Sequence, residues 1–268
     1  MPPQGEAPDP GRYRVDAVAK ALAILDVFIA PPHRFTLTEV SRRSGLSTNQ
    51  TFRLLQTLVE GRFVSYESHI RHYTLGLHLF RLTGALRNSD DLLRLSAPIL
   101  SWARDASGET ANLVVKDGED GAVSIAARES RQELHATASR GAWQPLHAGA
   151  SPKLLLALRD EALIERYLAA HQPLPAYTSH TITDPTTLRA ELRAIRERGY
   201  AVSQQENRLG ACAVAAPVFG RRGEVLAAFS LTAPLARFAA ADRDRSIALA
   251  LAAAQRLSTQ LGHAAPYE

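Results

Sequence analysis

The chain has 268 residues, 46% hydrophobic and 22% charged, which is enough to build one large core or two ordinary ones and too apolar for a disordered chain. Its single cysteine, Cys212, excludes an intramolecular disulfide framework and a cysteine-built zinc site. The net charge of +4 is concentrated: between Arg12 and His72 stand nine basic side chains (Arg12, Arg14, Lys20, Arg34, Arg42, Arg43, Arg53, Arg62, Arg71) against five acidic ones (Asp16, Asp26, Glu39, Glu60, Glu67), so a polyanion meets this segment first.

The first eleven residues are proline-rich and acidic-polar. With no basic start and no apolar centre they do not read as a signal peptide, and 1–11 is expected to be a disordered tail. The longest apolar run near the C-terminus, Ile247 to Ala254, falls well short of the ~20 residues that span a bilayer. The expectation is a reduced, cytoplasmic protein.

Val18, Ala21, Leu22, Leu25, Phe28 and Ile29 repeat at helical spacing, and Pro31-Pro32 stops that helix. Thr36-Leu-Thr-Glu39 has the form of a capping box and opens a short helix that ends at Ser44-Gly45. Ser47-Thr-Asn-Gln50 reads as a second capping box, followed by the apolar stripe Phe52, Leu55, Leu58, Val59. Helix, glycine-containing turn, helix is the helix-turn-helix arrangement. The second helix carries Ser47, Thr48, Asn49, Gln50, Arg53 and Gln56 on its polar face. Asn, Gln and Arg make bidentate bonds to base edges, and Ser and Thr at a helix start bind phosphate. Strands are expected at 62–66 and 71–75 around a turn at 67–70, completing a winged helix over 12–74. Thr48, Asn49, Gln50 and Arg53 are the candidate base readers. Thr36, Arg42, Arg43, Ser47, Arg71 and His72 are the candidate backbone contacts.

Leu75, Leu79, Leu82 and Leu86 predict a linker helix over 75–90 that breaks near Asn88 to Asp91, and a further helix follows over 92–106 with Pro98 as a bend or new start. From Thr110 the period changes to that of strands: 111–115 and 122–127 around a turn-rich stretch, and a weaker third over 133–139. Helices are expected at 151–158, 161–170 and from Asp184-Pro185 to Gly199. Strands are expected at 200–204, 211–219 and 225–231, then a final helix over 243–261. This is an α+β arrangement in two domains, with the second over 91–268.

The chain resembles the IclR family of bacterial transcription regulators over residues 14 to about 262. The matching stretches in the first domain are Leu37-Thr-Glu-Val-Ser-Arg-Arg-Ser-Gly-Leu-Ser47, Leu54-Leu-Gln-Thr-Leu58 and Tyr73-Thr-Leu-Gly76. In the second they are Pro145-Leu-His-Ala148, Lys153-Leu-Leu-Leu-Ala157, Ile195-Arg-Glu-Arg-Gly-Tyr-Ala-Val202 and Val214-Ala-Ala-Pro-Val-Phe219. The resemblance implies a GAF-like effector-binding second domain, homodimers often paired into tetramers, palindromic double-stranded DNA operators, and a small organic-acid effector that modulates operator affinity. Repression is the commoner role among relatives.

The same resemblance implies an effector carboxylate on the backbone of Ala150 and Ser151 and hydroxyls from Ser230 and Thr232. Ala136, Gln144, Ser203, Ala211 and Ala213 complete the implied effector site. Ser203 stands where relatives that take small oxo-acids carry an acid, and Ala213 where they carry a cysteine. These departures leave room and remove charge, and so favour a bulkier organic acid, aromatic ones included. For Trp143 ordinary core packing outweighs a place in the pocket wall, and for His135 an exposed strand position does. Cys212 is read as a buried small hydrophobe. His69 and His72 are three apart on the wing with no acidic partner in place, and no metal site, cofactor or catalytic residue is expected. A DNA-free small-molecule sensor with a merely solvated basic face is the competing reading, which the salt dependence of DNA binding separates.

Overall fold

The computed structural model describes residues 14–89 and 91–264. The expected tail over 1–11 lies outside them, as does Asp90 in the expected break. The chain divides into two compact units after Ser89.

In the first unit α1 (Asp16–Val27), α2 (Leu37–Ser44) and α3 (Thr48–Glu60) pack around Ile24, Phe28, Phe35, Val40, Leu55 and Leu58. Strands β1 (Arg34–Phe35), β2 (Val64–Glu67) and β3 (His72–Leu75) form an antiparallel sheet in the order β1-β3-β2, and α4 (His78–Ser89) follows. The capping box at Thr36 is complete: its hydroxyl accepts from Glu39 N, and Glu39 Oε2 accepts from Thr36 N at 2.8 Å. The one expected at Ser47 is half formed. Ser47 Oγ accepts from Gln50 N at 3.3 Å, while Gln50 stays exposed and returns no bond. A neutral amide gains less at a helix N-terminus than the carboxylate of Glu39 does. Both wing strands begin later than expected because Arg62 (φ 61) and Arg71 (φ 55) adopt left-handed backbone that cannot continue a ladder.

The second unit opens with α5 (Asp91–Ser107), which continues through Pro98 rather than restarting there. A six-stranded antiparallel sheet follows, made of β4 (Thr110–Asp117), β5 (Gly121–Arg128), β6 (Trp143–Pro145), β7 (Ala201–Gln204), β8 (Ala211–Phe219) and β9 (Val225–Pro234). Its order is β6-β5-β4-β9-β8-β7. Strand alternation sends Leu113, Cys212, Val214, Phe229 and Leu231 to the face covered by α5 and α9 (Ala240–Gln260). Val114, Ala215 and Ala228 face the other side, against α6 (Ala150–Ala157), α7 (Glu161–Ala170) and α8 (Pro185–Arg198).

The strand expected over 133–139 does not form. That segment is irregular, and the carbonyl of Ala136 is held by the Thr110 hydroxyl at 2.6 Å instead of by a ladder. The edge strand beside β5 is β6, pairing Val123 with Trp143 and Gly121 with Pro145.

Candidate functional site

Helix α3 buries Thr51, Leu55 and Leu58 against the first core. The 3.6-residue period then leaves Ser47, Thr48, Asn49, Gln50, Arg53 and Gln56 outward, and all six are exposed. The four candidate base readers are therefore all accessible. Arg42 and Arg43 lie in the last turn of α2, both exposed, with the Arg43 guanidinium 4.5 Å over the Phe35 ring. Arg71 is exposed at the wing turn, and His72 Nδ1 lies 2.5 Å from Ile70 O. Thr36 already donates its hydroxyl proton to Glu39 at 2.8 Å. The Thr36 backbone N–H, and then its hydroxyl, hold the Glu39 carboxyl below the usual range. The wing also brings Glu67 within 4.0 Å of His69, an acidic neighbour the sequence reading does not place there. Even so, no group of three or more His, Cys, Asp or Glu able to hold a metal occurs among the described residues.

In the second unit all nine candidate effector residues line one cavity of about 510 Å³. Sheet register explains how they meet. Ser203 pairs with Ala213, and Ala213 with Thr232. On the next row Ser230 pairs with Ala215 on one side and Asn112 on the other. The floor is thus two rows of small and hydroxyl-bearing residues. Above it α6 begins at Gly149, whose backbone (φ 100, ψ 161) is a conformation open to glycine alone. The first N–H groups of α6 have no acceptor within the helix, a setting that suits an anion. Ala211 and Ala136 add small side chains to the wall.

The polarity of the floor is unusual for so buried a surface. Ser151, Ser203 and Ser230 are each at most 5% exposed, and among the described residues their hydroxyls have no protein partner. Asn112, 6% exposed, accepts from Ser124 Oγ at 2.6 Å through its Oδ1 and has no protein acceptor for its amide N–H groups. Buried polar groups are normally bonded, so groups left open toward a cavity are matched to something that enters it.

Sequence reasoning missed Asn112, Ser124, Asn207 and Arg208, which also line the cavity. A lone asparagine within the apolar run 111–115 was the available signal. Trp143 and His135 correct their expected placements: Trp143 is 50% exposed on the cavity wall because β6 is an edge strand, and His135, half-buried, lines the same cavity from irregular backbone. Cys212 is fully buried in the α5–α9 core, where burial pushes its thiol up.

Behind the cavity lies a charge cluster that no local pattern announced. Lys153, 1% exposed, bonds Glu206 Oε1 at 2.7 Å, Glu191 Oε1 at 3.3 Å and Val202 O at 3.2 Å. Glu206 Oε2 also accepts from Gly149 N at 3.1 Å, fixing the loop after β7 to the start of α6. Nearby, His147 is buried between the Tyr167 hydroxyl (2.8 Å) and Pro175 O (2.9 Å).

The family model described as IclR helix-turn-helix domain matches residues 17–68, and that described as bacterial transcriptional regulator IclR C-terminal matches 85–259. The Transcriptional repressor IclR of Escherichia coli (strain K12) is 31% identical over 85% of this chain and 83% of its own. The HTH-type transcriptional repressor AllR of the same strain is 30% identical over 96% and 94%. An IclR transcriptional regulator from Alicyclobacillus acidocaldarius superposes with a TM-score of 0.85 at 30% identity, covering 93% of this chain and 100% of that one. An IclR homologue from Microbacterium hydrocarbonoxydans, complexed with 4-hydroxybenzoate, shares the fold at a TM-score of 0.79 and 23% identity over 91% and 98%. With both units matched in order, the chain belongs to the IclR family of bacterial transcriptional regulators.

Proposed function

We propose that this protein is a sequence-specific repressor that binds a palindromic operator as a homodimer, or as a dimer of dimers, and whose operator affinity is set by a small organic acid in the cavity of the second domain. The observation that carries the reading is the set of polar groups of Ser151, Ser203, Ser230 and the Asn112 amide N–H, on buried residues, that open onto the cavity without a protein partner. A dry cavity would leave them unsatisfied, and an acid with several oxygen atoms matches them. The carboxylate belongs at Ala150 and Ser151, and Trp143 offers a flat apolar wall for an aromatic acid. A relative of the same fold is complexed with 4-hydroxybenzoate, in keeping with an acid of that size.

On the DNA side, Thr48, Asn49, Gln50 and Arg53 read bases, while Arg42, Arg43, Ser47, Arg71 and His72 meet phosphates. Thr36 acts chiefly through its cap. The test is fluorescence anisotropy with the DNA upstream of the protein's own gene, in rising salt and with unrelated competitor. Log affinity is expected to fall linearly with log salt. Arg53→Ala is expected to cost about 1–3 kcal/mol and to relax preference at one base pair. Unchanged affinity and base preference in that variant would remove α3 as the reading helix.

A further inference from the structure

The cavity is rich in neutral polar groups and poor in charge. Among the described residues that line it, Arg208 carries the one fixed charge, and no carboxylate joins the lining. Arg208 stands on the loop between β7 and β8. Its Nη1 reaches across the mouth and donates to Thr137 Oγ1 at 3.5 Å. Beside it Asn207 Nδ2 donates to Gln144 Oε1 at 3.2 Å. The loop is therefore bonded at two points to the segment 137–144, and the exposed Arg208 lines the cavity.

That guanidinium is underused. A 3.5 Å bond to a neutral hydroxyl lies at the outer limit of hydrogen bonding. No described carboxylate pairs with it, which is also true of Arg140, Arg193, Arg221 and Arg222 in the same unit, but of these arginines Arg208 is the one that lines the cavity. Its position is not free, because the root of its loop is fixed. Glu206, two residues earlier, is buried with its carboxylate on Lys153 and on the backbone N–H of Gly149. Glu206 thus ties the loop that carries Arg208 to the first turn of α6.

We infer that Arg208 is a specificity-determining residue that reads a second acidic group on the effector, so that the ligand class is a small dicarboxylic acid. One carboxylate lies at the start of α6, among Ser151, Ser203 and Ser230. The other lies at the mouth and replaces the Thr137 hydroxyl as the guanidinium's partner, in the two-point geometry that arginine offers a carboxylate. This inference rests on the reading of the cavity as the effector site.

The experiment is isothermal calorimetry on the full chain with matched acids: succinate, glutarate and adipate against butyrate, valerate and hexanoate, and terephthalate against 4-hydroxybenzoate. At least one diacid is expected to bind about tenfold tighter than its monoacid counterpart. Arg208→Ala should erase that preference while leaving monoacid affinity in place, and Arg208→Lys should restore part of it. Equal binding of diacids and monoacids, a preference that survives Arg208→Ala, or no binding by any diacid overturns the role of Arg208. Ser230→Ala separates the two levels. Weakening of both acid types by Ser230→Ala supports the cavity as the site, and binding of both unchanged overturns the cavity reading and this inference together.

Discussion

His147 shows how a buried polar residue acquires one protonation state. A carbonyl can only accept, so Nε2 carries the proton donated to Pro175 O, and Nδ1 is left to accept from the Tyr167 hydroxyl. Burial is the main cause that lowers the imidazole's pKa, and it pushes the Tyr167 phenol up to about 12. The unfolded chain, with histidine near pKa ~6.5, therefore takes up the proton first. The stability this residue contributes is complete above that value and declines as pH falls below it toward the depressed folded value. Melting curves between about pH 7.5 and 5.5 should show the second unit losing stability, and His147→Gln, which keeps a donor and an acceptor but does not titrate, should flatten part of that loss. An unchanged profile in the variant would place the pH sensitivity elsewhere. Lys153 makes the same point for charge. Lys153→Met leaves Glu206 buried without its cation and should cost about 3–5 kcal/mol in urea unfolding. Adding Glu206→Gln should recover much of that cost, because the amide oxygen still accepts from Gly149 N. A double variant no better than the single one would mean that packing of the lysine stem matters more than its charge.

Helix α2 is an element whose ends were written locally. Thr36 and Glu39 close its N-terminus, and Gly45 (φ 69) closes its C-terminus in left-handed backbone. Thr36→Ala should lower the stability of the first unit by about 1 kcal/mol, and Thr36→Ser should keep most of it. If Thr36→Ala instead weakened operator binding with no change in melting, the hydroxyl would be a phosphate contact rather than a cap. Such local signals are why α2, α3 and α8 could be read closely from the chain: Asp184 with Pro185 opens α8, and Gly199 (φ 76) ends it. Strand β8 was equally legible, since its apolar run is bounded by turn residues. The two-residue β1 and three-residue β6 were not, because elements so short carry no period and exist only through their partners, β3 and β5. Part of the cavity and its support shares this property. Ser230 and Thr232 announce themselves as alternating hydroxyls on one strand, whereas Glu206 meets Lys153 across 53 residues of chain, and Arg208 sits in a loop with no pattern at all.

For the whole molecule, a ligand in one unit that changes DNA affinity in the other must be affected by DNA to the same factor, since binding free energies are reciprocal. On the proposed palindromic operator, two reading helices would fall on successive turns of the groove, about 34 Å apart. One chain presents a single α3, so the proposed homodimer would have to hold a second copy in register. The first unit has exposed apolar side chains that would suit this. At α1, its N-cap Val15 and then Val18 and Leu22 follow one face at spacings of three and four and are 62%, 55% and 56% exposed. At α4, Leu77 and Phe80 are 77% and 76% exposed. None of these side chains belongs to the first core, so charging them should leave the fold intact. Leu22→Glu with Phe80→Glu is therefore expected to keep the circular dichroism spectrum, to shift sedimentation equilibrium toward smaller species, and to reduce operator affinity toward that for a half-site. An unchanged mass with unchanged affinity would show that the dimer is held through the second unit alone. Loss of operator affinity at unchanged mass would make these stripes the joint that aligns the two α3 helices within a dimer assembled elsewhere.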